Sequence, residues 1–181
     1  GPLIADLRAD GIIGETFSAS ARLRETTSAR RNYALQEGAA LLTLVSRNSG
    51  VAFRFTASAA GVLWGGENAS DVAFRALAYL PLDLARYDVE GAWRLGMLHS
   101  VAISADELTG TFGAGVGTRD DSLLAAAWEV RTQAIAQRLE LASTALGHAR
   151  FNAELSGNAT QGLGRWAMSG DGFEGFSLSS A

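Results

Sequence analysis

Apolar and polar residues alternate with a period of two along much of this chain. Between Tyr87 and Gly96, Val89, Trp93 and Leu95 fall on one side of an extended backbone, and Asp88, Glu90 and Arg94 fall on the other. Val101, Ile103 and Ala105 share a side opposite Ser100, Ala102 and Ser104. The same rhythm places Phe17, Ala19, Ala21 and Leu23 opposite Ser18, Ser20, Arg22 and Arg24. It recurs in Val51, Phe53, Phe55 and Ala57, and again in Ala149, Phe151, Ala153 and Leu155. A half-buried antiparallel strand needs this period, because successive side chains point to opposite faces of the sheet. The pattern predicts strands over 16–24, 51–58 and 149–156, with a hairpin inside 87–112.

Three windows fit two templates. In 32–46, Tyr33, Glu37, Ala40, Leu41 and Leu44 could stripe a helix, yet Leu41–Val45 also reads as a buried strand. Gly38 costs a helix about 1 kcal/mol relative to Ala, and the turn signal Arg47-Asn-Ser-Gly50 favours a hairpin, so strand is preferred. Ser70 to Leu80 can be capped by Ser70 or Asp71 and stopped by Pro81, but Val72, Phe74, Ala76 and Ala78 alternate as well. In 122–143, Leu124, Trp128, Ile135 and Leu139 sit at helical spacing while Leu139, Leu141 and Ser143 alternate. Glu25–Arg31 reads as a polar loop, and the glycine-spaced Gly113-Ala-Gly-Val-Gly117 reads as a flexible turn. The four tryptophans recur at roughly regular separations, which hints at a repeated supersecondary unit.

Composition narrows the partners. The chain has 181 residues, enough for one sizeable domain, and a formal net charge of −4. That charge gives no electrostatic case for nucleic acid, whose binders present a net basic face to the phosphates. All 15 basic residues are Arg. With no cysteine, disulfides, thiolate metal sites and cysteine nucleophiles are excluded. No stretch matches a membrane-spanning helix or a signal peptide. Gly1-Pro2 resembles the remnant of a cleaved tag, leaving 3–181 as a single β-rich domain with any membrane anchor elsewhere.

Candidate chemistry is thin. Gly113–Gly117 could cradle a phosphate but lacks the rest of a nucleotide motif. Asp106-Glu107 and Asp120-Asp121 could pair carboxylates, but adjacent acids on a strand diverge, and both pairs fit turns or helix caps better. His99 shares a side with Val101 and Ile103, and it would serve a hydrolase only if Asp106, Glu107 or Asp120 came near it in space. His148 follows Gly147 in a predicted turn. The triplets Asn68-Ala-Ser70 and Asn158-Ala-Thr160 match the glycosylation sequon and read as loops. No catalytic residue, metal ligand or cofactor is assigned. The set that stands out is apolar: Phe53, Phe55, Trp93, Leu95, Val101 and Ile103. It predicts either an ordinary core or an uncovered sheet face that forms a groove for a lipid or other apolar ligand.

Three runs carry a family resemblance: Val89-Glu-Gly-Ala-Trp-Arg-Leu95, Val101–Gly110 and Leu139–Gly157. Together they resemble the AsmA/TamB-type envelope proteins of Gram-negative bacteria. Gly61-Val-Leu-Trp-Gly-Gly66 looks like the tryptophan-glycine signature of the type II secretion N component. The resemblance, over about residues 50–178, implies a β-rich periplasmic region anchored in the inner membrane, folded as a half-pipe whose apolar interior conducts phospholipid. The expectation is therefore a mainly β protein: an antiparallel curved sheet, sandwich or half-pipe with at most two short helices. Its expected role is a non-enzymatic envelope module that binds lipid or a protein partner through an apolar sheet face. The alternative is a structural or assembly protein that self-associates through exposed strands.

Overall fold

In the computed structural model, eleven antiparallel strands among the described residues lie side by side in chain order. They are β1 (Leu3–Gly11), β2 (Phe17–Arg30), β3 (Tyr33–Arg47), β4 (Gly50–Trp64), β5 (Glu67–Pro81) and β6 (Arg86–His99). After them come β7 (Ile103–Gly117), β8 (Ala127–Leu141), β9 (Thr144–Gly157), β10 (Gly162–Asp171) and β11 (Ser177–Ser180). The structure describes residues 3–11, 17–30, 33–47, 49–81, 86–117, 127–141, 144–158, 161–171 and 177–180. The expected cap at 118–122, the Asp120-Asp121 pair and Thr160 lie outside them. The sheet is curved and does not close, since β1 and β11 each have one neighbour.

The described residues of all three ambiguous windows lie in strands β3, β5 and β8, and the described residues contain no helix. Residues 32, 122–126, 142 and 143 of those windows lie outside the described residues. Glu25–Arg30 is not a loop but the second half of β2, held in register by Thr27↔Gln36 and Arg30↔Tyr33. Gly113–Gly117 is not a turn but the end of β7, paired to both β6 and β8. Asn68–Ser70, Asp106-Glu107 and His148 also lie inside strands, not in turns or caps. The expected strand through Val101 is broken, because β6 ends at His99 and β7 begins at Ile103. Ser100 caps that turn, its Oγ accepting from the Ile103 backbone N–H at 3.1 Å. Gly65 and Gly66 form the two-residue turn from β4 to β5 with φ of 59° and 97°. Positive φ at both positions suits the type I′ turn that matches strand twist.

One transverse line organises the sheet. In β3 to β9, consecutive positions on one face are two residues apart except once per strand, where the step is three. The steps are Leu35 to Gly38, Ala59 to Val62, Ala69 to Val72, Leu95 to Leu98, Ala105 to Leu108, Ala136 to Leu139 and Leu146 to Ala149. Register is unchanged across the line, as Ala59↔Val72 and Gly61↔Ser70 show, so every strand slips in phase with its neighbours. The odd strands achieve the slip with a residue in the left-handed region: Glu37, Asp71, Glu107 and His148, at φ of 51°, 49°, 49° and 47°. Such a residue interrupts the pleat and turns the following side chains to the other face. The result is a crease.

The crease holds the buried core. Ala105, Ala136, Leu146 and Ala149 are 2–5% exposed, packed by Leu98, Leu108, Leu139 and Met168. These residues come from both sides of the line and meet inside the bend. Alanine suits three of the four buried sites because the strands approach too closely for longer side chains. On the outer crest, Gln137 Nε2 donates to Glu107 Oε2 at 2.6 Å, and His148 Nδ1 lies 2.7 Å from Asp171 Oδ2.

Three substitutions at two positions test the crease by chemical denaturation. Glu107→Ile puts a β-branched residue in the left-handed region and should cost about 1–2 kcal/mol, whereas Glu107→Gly should be neutral or stabilising. Ala136→Leu should overpack the bend and cost about 1–3 kcal/mol.

Candidate apolar binding face

The registers sort the strands into two unlike faces. Phe53 pairs with Ala78, Phe55 with Ala76 and Ala57 with Phe74. Phe74 continues to Trp93, Ala78 to Val89, and Trp93 on to Gly110. Followed outward, this face holds Leu42 and Leu44 of β3, Val130 and Ala134 of β8, and Phe151 and Leu155 of β9. On this side of the crease, from Phe17–Leu23 of β2 to Gly164–Met168 of β10, it carries no described charged side chain; across the crease the same face reaches Glu67 beside the β4–β5 turn. The opposite face carries Arg54, Arg75, Asp88, Glu90, Arg94, Glu129, Arg131, Glu154 and Arg165.

Rings on the apolar face lie flat over glycines. A Cβ on Gly91 would meet the Phe112 ring at 2.4 Å, and one on Gly110 would meet the Trp93 ring at 2.4 Å. Gly157 lies similarly beneath Trp128, at 2.8 Å. Each glycine is the cross-strand partner of its aromatic residue (Gly91↔Phe112, Trp93↔Gly110 and Trp128↔Gly157). The bare backbone accepts the ring. Reaching over Gly91, Phe112 stacks on Phe74 with centroids 5.6 Å apart and planes 18° apart. Phe74 also meets Phe55 at 5.9 Å. Each such pair contributes about 0.5–1.5 kcal/mol beyond area burial. The low-lying rings pave a smooth surface, with alanine between them.

The paving is uncovered. The chain exposes 12655 Å², against roughly 8,300 Å² expected for a folded monomer of its mass. No large side chain is fully buried among the described residues. Phe53, Phe55, Trp93 and Leu95 come together on this face, half-buried by their flanks alone. Val101 and Ile103 do not join them. Val101 is in the β6–β7 turn and fully exposed, while Ile103 lies beyond the crease at 38% exposure. Sequence reasoning missed Phe74, Phe112 and Leu42, although the alternation of Phe74 with Ala73 and Arg75 was a usable signal.

Hollows on the opposite face are of another kind. One of them, about 610 Å³, is walled by Arg54, Thr56, Arg75, Leu77 and Glu90 and opens to solvent. Beside it Gly115 lets Arg86 reach across β7 to Glu129 at 2.9 Å while also holding Asp88 at 2.8 Å. The Arg86 guanidinium is raised above its ordinary value, chiefly by the hydrogen bond to Asp88 and then by that to Glu129. Exposed ion pairs of this sort add little stability. His99 is in register with Ser104, and Asp106 with Met97. Among the described residues, no three His, Asp or Glu side chains gather as a metal site.

Comparison with protein-family models, curated proteins and solved structures finds no match.

The ring-over-glycine arrangement has a direct test. In Gly91→Val the new Cβ would meet Phe112 at 2.4 Å and the Arg75 carbonyl oxygen at 2.5 Å. It should lose about 1–3 kcal/mol and weaken the near-UV circular dichroism. In Gly113→Val the side chain enters open space, so stability should hold or rise.

Proposed function

We propose that this protein is a non-enzymatic binding module whose uncharged sheet face takes the acyl chains of a lipid or a similar apolar ligand. The observation that carries the reading is the absence of described charge from β2 to β10 on the Phe53 side of the crease, beside the uncovered aromatic paving. Acyl chains need a long surface with no unsatisfied polar group, because an unpaired charge against hydrocarbon costs several kcal/mol. Phe53, Phe55, Trp93 and Leu95 are the proposed contacts, with Phe74 and Phe112 completing the strip. The open, curved form suits the half-pipe implied by the AsmA/TamB-type resemblance, which makes a Gram-negative periplasm or envelope the proposed setting.

A second reading, assembly through edge strands, rests on β1. That strand has one neighbour, and Ile4 and Leu7 on it are 54% and 80% exposed. Unpaired strand edges template pairing with another chain.

Native mass spectrometry and lipid extraction of the purified protein test the leading reading. Lipid should co-purify with the wild type. Phe53→Asp should retain at least about tenfold less, since burying one unpaired carboxylate exceeds the 1.4 kcal/mol that a factor of ten represents. Ala52→Asp, one residue away on the opposite face, should retain it normally. Equal retention by both variants would sink the reading, and lipid-free filaments or rings would favour edge assembly.

A further inference from the structure

We propose that, in the absence of ligand, a second copy of this chain covers the apolar face, two sheets packing face to face as a sandwich. The inference rests on the reading that this face is the working surface, and not on the ligand being a lipid.

Area is the first support. The nine strands from β2 to β10, about 4.8 Å apart and with about ten residues each at 3.3 Å, span roughly 40 Å by 33 Å. That is about 1,300 Å² of face per copy, so two copies facing one another bury at least about 2,600 Å². The sum falls in the range of obligate homodimers, roughly 2,000–5,000 Å². Each copy's share is about a third of the surface by which this chain exceeds an ordinary monomer.

Charge and shape are the second. A two-fold dimer sets a surface against itself, so any charged residue near the axis meets its own like charge. On the Phe53 side of the crease this face holds no described charged residue between Phe17–Leu23 and Gly164–Met168, and the described charged residues of those strand halves point the other way. Rings flattened over Gly91, Gly110 and Gly157 leave no tall side chain to hold two sheets apart. Sheets pack at about 10 Å when their inner faces are apolar and interdigitate. The exposed Arg, Asp and Glu side chains would then form the solvent surface of the pair.

The absence of cysteine makes the test clean. Ala76 lies near the middle of the face on β5, and neighbouring Arg75 points to the opposite side. Delipidated Ala76→Cys and Arg75→Cys proteins are treated with a bismaleimide spanning about 10 Å, the expected sheet separation. Mass is read in parallel by sedimentation velocity without detergent. The wild type should sediment as a dimer, and Ala76→Cys should crosslink to dimer at least about tenfold faster than Arg75→Cys. A monomeric wild type overturns the proposal, as do equal crosslinking rates or an open series of higher oligomers. If either cysteine variant misfolds, Ala78→Cys and Leu77→Cys repeat the comparison one step along β5. Adding a pyrene-labelled fatty acid separates the two readings. A dimer that ignores the probe retains this proposal and removes the lipid reading, whereas a monomer that binds it does the reverse.

Discussion

A single-layer sheet gives each apolar side chain neighbours on its flanks and none above it. Every other feature of this structure answers to that shortage of cover. Hydrogen-bonded ladders pair the interior strands on both sides of the crease, and they are local, because every neighbour in space is the next strand in the chain. Burial is another matter. Two packed layers are the usual way to remove an apolar face from water, and here only the crease brings side chains against each other across a fold. The buried residues sit there accordingly.

The crease works because the slip is shared. A lone left-handed residue in one strand would unpair it from its neighbours. When Glu37, Asp71, Glu107 and His148 lie along one transverse row, with the even strands following in register, the ladder survives and the whole sheet bends. Asp and His are among the residue types that enter this region at least cost. Away from the crease, flattening rings onto glycines is the other response to missing cover. A ring lying on bare backbone loses contact with water on one side without needing a second layer. This thins the apolar surface but leaves it exposed, opposite a charged reverse.

How much was legible follows from the same geometry. Strands over Phe17–Leu23, Val51–Ala57 and Ala149–Leu155 were readable because those stretches lie to one side of the crease and keep an unbroken period of two. The windows 32–46, 70–80 and 122–143 read as helix or strand because each touches the crease. A three-residue step between face positions, such as Ala136 to Leu139, is also the spacing of a helical stripe. Outward Leu77 and Ile135, half-exposed on the charged face, strengthened the false stripe. Glu25–Arg30 looked like a loop because its residues are polar, and only pairing with β3 makes it strand.

The sequence by itself determined the mainly β character, the two unlike faces of each strand, and that Phe53 sides with Phe55 and Trp93 with Leu95, since all three depend on alternation within one strand. Tertiary structure decided which strands share a face across the sheet, and so that Phe74 and Phe112 belong to the strip while Val101 and Ile103 do not. It also decided that the sheet stays open and bends on one line. Those outcomes are set by register and by backbone angles at a few residues, and a local hydropathy pattern carries neither.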